Sequence, residues 1–235
     1  MKPSLLFPSA RGKRLGEAGF LFAVSGNIRA YLSPKKGKAF LYLLLGLLVG
    51  FFLLLFLFSV LLLLGAYSYA GSALIEIRRV LFLLFFYLLY GSAEEILCRG
   101  VLMPLISEHA GGTVGALVSA AFFALMHVAN PGVSPLALWN IFLFGLLFAS
   151  VTQCSKSLLP ACGLHVGWNF AQSLCGVQIS GNEALYAPLK FDSRISWLSG
   201  GAFGPEGSPI LTFFLMALLA VMLLHSAKNQ KEQTK

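Results

Sequence analysis

Residues 39–66 read AFLYLLLGLLVGFFLLLFLFSVLLLLGA, without one Asp, Glu, Lys or Arg. About 20 apolar helical residues cross the hydrocarbon core of a bilayer, so this stretch is a membrane span with length left for tilt. Charge is also absent from 110–155, 157–182 and 207–227. Over all 235 residues the chain is 57% hydrophobic and 11% charged, whereas soluble domains carry about 25% charged residues. The pattern predicts an all-α polytopic membrane protein of about six transmembrane helices, over 40–66, 77–106, 113–128, 136–152, 158–177 and 209–225. It excludes a secreted disulfide domain, a soluble nucleotide-binding enzyme and a nucleic-acid binder.

The net charge of +8 reads as topology. Eight of the seventeen basic residues lie in 1–38, a basic segment expected in the cytoplasm. The membrane-embedded domain then covers 39–228, with a polar loop at 178–208 and a basic tail at 229–235. Six spans put both termini on the cytoplasmic side, with twelve basic residues inside and four outside; Arg78 and Arg79 dissent. Cys98, Cys154, Cys162 and Cys175 lack C-x-x-C spacing and read as small helix residues with no metal or disulfide role. Gly46-Leu-Leu-Val-Gly50 is a G-x-x-x-G, a mark of close helix packing that also arises by chance.

Apart from Arg78 and Arg79 at the entry of the second helix, only Glu94, Glu95 and Arg99 are fully charged within the spans. Such residues cost at least about 2.5–3.5 kcal/mol each on insertion scales, which points to function. Glu95 and Arg99 stand i,i+4 with the acid first, the favourable order for a helical ion pair. Glu94 lies about 100° further round the helix and has no such partner, which suits a general base.

His127 and His165 sit in apolar helices, where a histidine is more often a packing residue than a catalyst. Depth favours chemistry. Glu94 precedes Ser107 by 13 residues and His127 follows Thr113 by 14, so both lie about 20 Å from one shared turn. Asn169 follows Ser157 by 12 residues, about 18 Å, with His165 one turn shallower. Three helices thus bring an acid, two imidazoles and a carboxamide to one depth. A carboxylate and an imidazole can deprotonate a water, and a second imidazole with an amide can donate to the oxyanion that follows attack on a peptide carbonyl. Zinc on Glu94 and the two histidines is the alternative. It is disfavoured because H-E-x-x-H is missing and the donors come from separate helices, beside Arg99.

Glu94-Glu95-Ile-Leu-Cys-Arg99-Gly100 resembles the E-E-x-x-x-R-G motif of the CAAX-processing and bacteriocin-processing (CPBP, or Abi) intramembrane proteases. Phe123-x-x-x-His127 and His165-x-x-x-Asn169 are similar to that family's second and third motifs, and the likeness covers roughly 80–178. The resemblance implies a glutamate-type endopeptidase, historically often labelled a metalloprotease. It makes Glu94 and His127 the water activators, His165 and Asn169 the oxyanion hole, and Glu95 and Arg99 their support. No cofactor is implied. The implied partners are a membrane peptide or protein substrate and the lipid bilayer, and the implied location is a bacterial cytoplasmic membrane. A non-catalytic scaffold or bacteriocin self-immunity factor using the same pocket is the competing reading.

Two departures stand out. Cys98 occupies a position where the family usually has Phe, which should alter packing more than chemistry. The family core usually has eight spans, so the first two are expected to be missing here. The 178–208 loop is longer than its adjoining helix ends require. Its Phe191, Ile195, Trp197, Leu198 and Phe203 argue for an ordered segment folded back over the site. The stretch Ser199-Gly-Gly-Ala-Phe-Gly-Pro-Glu206-Gly also looks like one found in a bacterial subgroup.

Overall fold

The computed structural model describes residues 38–233, with side chains through 224. The basic cluster of 1–37 and the side chains of the C-terminal tail, on which the orientation rests, lie outside the described residues. Each of the six expected apolar segments forms a helix. They are α1 (Ala39–Leu63), a long second helix in three parts, α4 (Gly112–Leu125), α5 (Pro135–Ser155), α6 (Leu159–Leu174) and α8 (Pro209–Gln233). The second helix runs as α2 (Ile77–Glu95), a π-helical stretch (Ile96–Leu102) and α3 (Met103–Ala110).

Three of the six are long and apolar enough to cross a membrane: Ala39–Leu63, Ile77–Ala110 and Pro135–Ser155. Gly112–Leu125 and Pro209–Leu224 are apolar but shorter, and α6 has 16 residues, about 24 Å against a core of about 30 Å. The chain is thus an integral membrane protein of mostly helical build, as expected, with three long helices and shorter apolar ones among the described residues. Apolarity along the chain counts residues, whereas turns such as 126–134 end the helices early.

Local chemistry explains the boundaries. At the end of α1, Gly65 adopts a left-handed φ of 71°. Gly65 N–H donates to Leu62 O at 3.0 Å and Ala66 N–H to Leu61 O at 2.8 Å, the paired bonds of a Schellman stop. At the start of α5, Ser134 accepts from Ala137 N–H at 3.1 Å and Pro135 takes the first helical position.

Helix α6 is the centre of the molecule. Every residue from Ala161 to Asn169 is buried, and the helix packs against α1, α2 and α5. Its tightest partner is α1. A β-carbon on Gly50 would run into the Leu164 carbonyl and one on Gly46 into that of Pro160, while Gly163 and Gly167 meet the Leu43 and Leu47 carbonyls in return. The G-x-x-x-G of α1 is therefore a packing motif, matched by a second one, Gly163-x-x-x-Gly167, on α6. The outer faces of α1, α2 and α8 expose Phe40, Phe52, Phe82, Phe85, Phe213 and Leu224, the surface a bilayer would cover.

The fold is not purely helical. Residues read as a turn form β1 (Tyr67–Ser72), and part of the polar loop forms β2 (Leu189–Ser193). They pair antiparallel, Tyr67 opposite Ser193 and Tyr69 opposite Phe191, with an irregularity between Tyr69 and Gly71. The rest of the loop is the short helix α7 (Ser196–Ser199) and two 3-10 turns, Gly201–Phe203 and Pro205–Gly207. Tyr67, buried, donates its hydroxyl to Ser199 O at 2.9 Å, and burial pushes that hydroxyl's pKa above its ordinary range, keeping it a donor.

Candidate active site

The acidic pair lies where α2 gives way to the π-helical stretch. Loosening the helix by one residue per turn frees backbone groups, and such bulges recur at functional sites. Cys98 O accepts the Met103 N–H of the π-helical pattern and, as a second donor, the Ser119 hydroxyl of α4 at 2.8 Å. Glu95 and Arg99 are fully buried and paired, Nη1 to Oε1 at 3.0 Å, as their spacing predicts. Arg99 Nη2 donates to Gly145 O of α5 at 2.9 Å. Its guanidinium lies over the rings of Phe123 at 4.6 Å and Phe148 at 5.3 Å. The first Phe of Phe123-x-x-x-His127 thereby serves the charge cluster as well as His127.

His165 stands between the two acids. Its Nδ1 is 3.0 Å from Glu95 Oε1; since a carboxylate only accepts, Nδ1 carries the proton. Its Nε2 is 3.6 Å from Glu94 Oε2, within ion-pair reach and too far for a hydrogen bond. The ring stacks on Phe148, centroids 5.1 Å apart, and meets Phe123 edge-on. Glu94 is therefore not isolated, as its helical position alone had it. It faces an imidazole from another helix, yet its buried Oε2 has no hydrogen-bond partner.

His127 lies in the turn after α4, buried, with Nδ1 2.8 Å from Phe123 O. A carbonyl also only accepts, so Nδ1 is the donor and Nε2 is left as an acceptor in the neutral ring. His127, His165 and Asn169 line one cavity with Phe123, Phe148 and Trp168. It admits a water-sized sphere over ≈ 10 Å³, about one water. Glu94 reaches the group through His165, so the three helices do converge as the depth reading expects. His109 is apart, its Nδ1 on Leu105 O.

Among the described residues no three His, Cys, Asp or Glu side chains converge as a metal-binding group. Both ring nitrogens of His165 face carboxylates, and Glu95 is paired with Arg99.

Besides Ile141 and Phe144 of α5, two residues of the 178–208 loop line the cavity, Ser180 and Glu206. For Glu206 the signals were the resemblance of the Ser199–Gly207 stretch to one in a bacterial subgroup and its Gly- and Pro-rich context, which also suits a solvated turn; nothing in the sequence marks Ser180.

The family model described as type II CAAX prenyl endopeptidase Rce1-like matches residues 76–171, the part of the chain that holds all three motifs. No curated protein and no solved structure matches the chain.

Proposed function

We propose that this protein is an intramembrane endopeptidase that hydrolyses a peptide bond with a water activated by Glu94 and His127. The observation carrying this reading is the unpartnered Glu94 Oε2, 3.6 Å from Nε2 of His165, a ring that also lines a cavity with room for about one water. Glu94 takes a proton from the water while His127 Nε2 accepts its second hydrogen. The hydroxide adds to the peptide carbonyl. His165, protonated on both ring nitrogens with its Nδ1–H held by Glu95, donates from Nε2–H together with the Asn169 amide to the oxyanion, and Glu94 returns its proton to the leaving nitrogen. Glu95 and Arg99 hold His165 in place. The mechanism uses no metal, and the substrate is a membrane peptide or protein; the family's printed activity makes a prenylated C-terminal peptide the first to try. A bacterial cytoplasmic membrane with both termini inside fits the basic ends.

The test is Glu94→Gln, which keeps shape and removes the base. Purified protein is given a quenched-fluorescent farnesylated peptide and its unprenylated twin, and membrane peptides are compared by proteomics in cells carrying each form. Cleavage should fall by about 10²–10⁴ with insertion unchanged. Wild-type cleavage by Glu94→Gln would end the mechanism. Biological function surviving both Glu94→Gln and His127→Ala would leave the pocket a recognition site alone.

A further inference from the structure

Glu206 is buried, at 3% exposure, and makes no ion pair among the described residues. Its carboxylate is held by neutral donors alone. Trp168 Nε1–H donates to Oε1 at 3.0 Å; Ser180 donates to Oε2 from both its backbone N–H and, at 2.7 Å, its hydroxyl. Keeping an acid in such a place is costly where Gln or Met would pack as well. The surroundings are built for it. Gly204 sits at φ 85°, where a β-carbon would strike Gln178 O, and Gly200 at φ 88°, against Gly204 O. On the far side, Asn140 of α5 donates to Glu206 O at 2.8 Å and Ser208 O at 2.9 Å.

The donors span two parts of the site. Trp168 immediately precedes Asn169 on α6 and packs edge-on against Phe144. Ser180 begins the loop, and both Ser180 and Glu206 line the cavity of His127, His165 and Asn169. That cavity holds about one water, and Ser180 and Glu206 form the loop side of its wall.

Resting on the proteolytic reading above, we propose that Glu206 is a positioning residue of the site: through Trp168 it sets the α6 turn presenting His165 and Asn169, and through Ser180 it latches the loop as a lid that the substrate peptide displaces. Glu206→Gln keeps one acceptor oxygen, enough for one of the two partners. Glu206→Ala releases both.

The test uses the full chain with Trp139 and Trp197 changed to Phe, leaving Trp168 as its single tryptophan. Acrylamide quenching should be weak with Glu206, stronger in E206Q and several-fold stronger in E206A, with a red-shifted emission. On the farnesylated peptide, E206A should lower kcat by about tenfold or more and lower KM by about threefold. Loss of folded protein alone would leave KM unchanged. If E206A does not fold, E206Q and S180A carry the same comparison. Trp168 equally shielded in the folded variants, or kcat and KM both unchanged, overturns the proposal. If the unaltered chain cleaves no probe, the proteolytic reading fails, and the quenching series still decides the latch.

Discussion

Replacing Arg99 by Met tests how the buried charges are held. At 3.0 Å from Glu95, the pair attracts by about 5–6 kcal/mol at an effective dielectric of about 20. Desolvation takes much of that back, so the net value of the pair is small. Removing one member is different, because it strands the other's charge, at about 3–5 kcal/mol. Arg99→Met also loses the contacts over Phe123 and Phe148 and leaves Gly145 O without its donor, which brings the cost to about 4–6 kcal/mol. Glu95→Gln in the same chain removes the stranded charge and keeps an oxygen for His165 Nδ1–H. The double variant should therefore be more stable than Arg99→Met alone, with a coupling of about 2–3 kcal/mol. Reversible unfolding by SDS in mixed micelles, followed by circular dichroism, measures all four corners of the cycle. Additivity within about 0.5 kcal/mol would refute the idea that this pair is held by mutual neutralisation.

Gly50→Val places a side chain against the Leu164 carbonyl, next to His165. It should cost about 1–3 kcal/mol or more in the same unfolding assay and lower cleavage, while a Leu45→Val change on the exposed face of α1 does neither. Asn140→Leu strands the carbonyls of Glu206 and Ser208 and the Thr212 hydroxyl; it should cost about 2–4 kcal/mol and expose the 178–208 loop to limited proteolysis. Cleavage of the farnesylated peptide should persist after exhaustive chelation. Loss of activity with chelation, restored by stoichiometric zinc, would reverse the metal-free mechanism.

Much of this molecule is legible in one dimension because hydrocarbon imposes a one-dimensional rule: apolar runs become helices that satisfy their own backbones. The six helices, and the isolation of Glu94, Glu95 and Arg99 as buried charges, follow from that rule and from counting. The Glu95–Arg99 pair is legible too, because i,i+4 neighbours meet whatever surrounds them. Helical rise likewise brings Glu94, His127 and Asn169 to one depth. Depth does not give azimuth. That His165 sits between both acids, and that Phe123 and Phe148 flank Arg99, depends on how α2, α4, α5 and α6 are rotated against one another, which glycine-mediated packing decides. Three other features belong to the tertiary structure alone. The π-helical stretch, where Cys98 O takes a hydroxyl from α4 as a second donor, has no marker in the sequence. The β1–β2 pair joins segments more than a hundred residues apart, whose strands are only five and six residues long, so their brief alternation does not announce a partner. Glu206 reads as a solvated acid in a loop until the chain folds, and becomes a wall of the site only when Trp168 and Ser180 close on it.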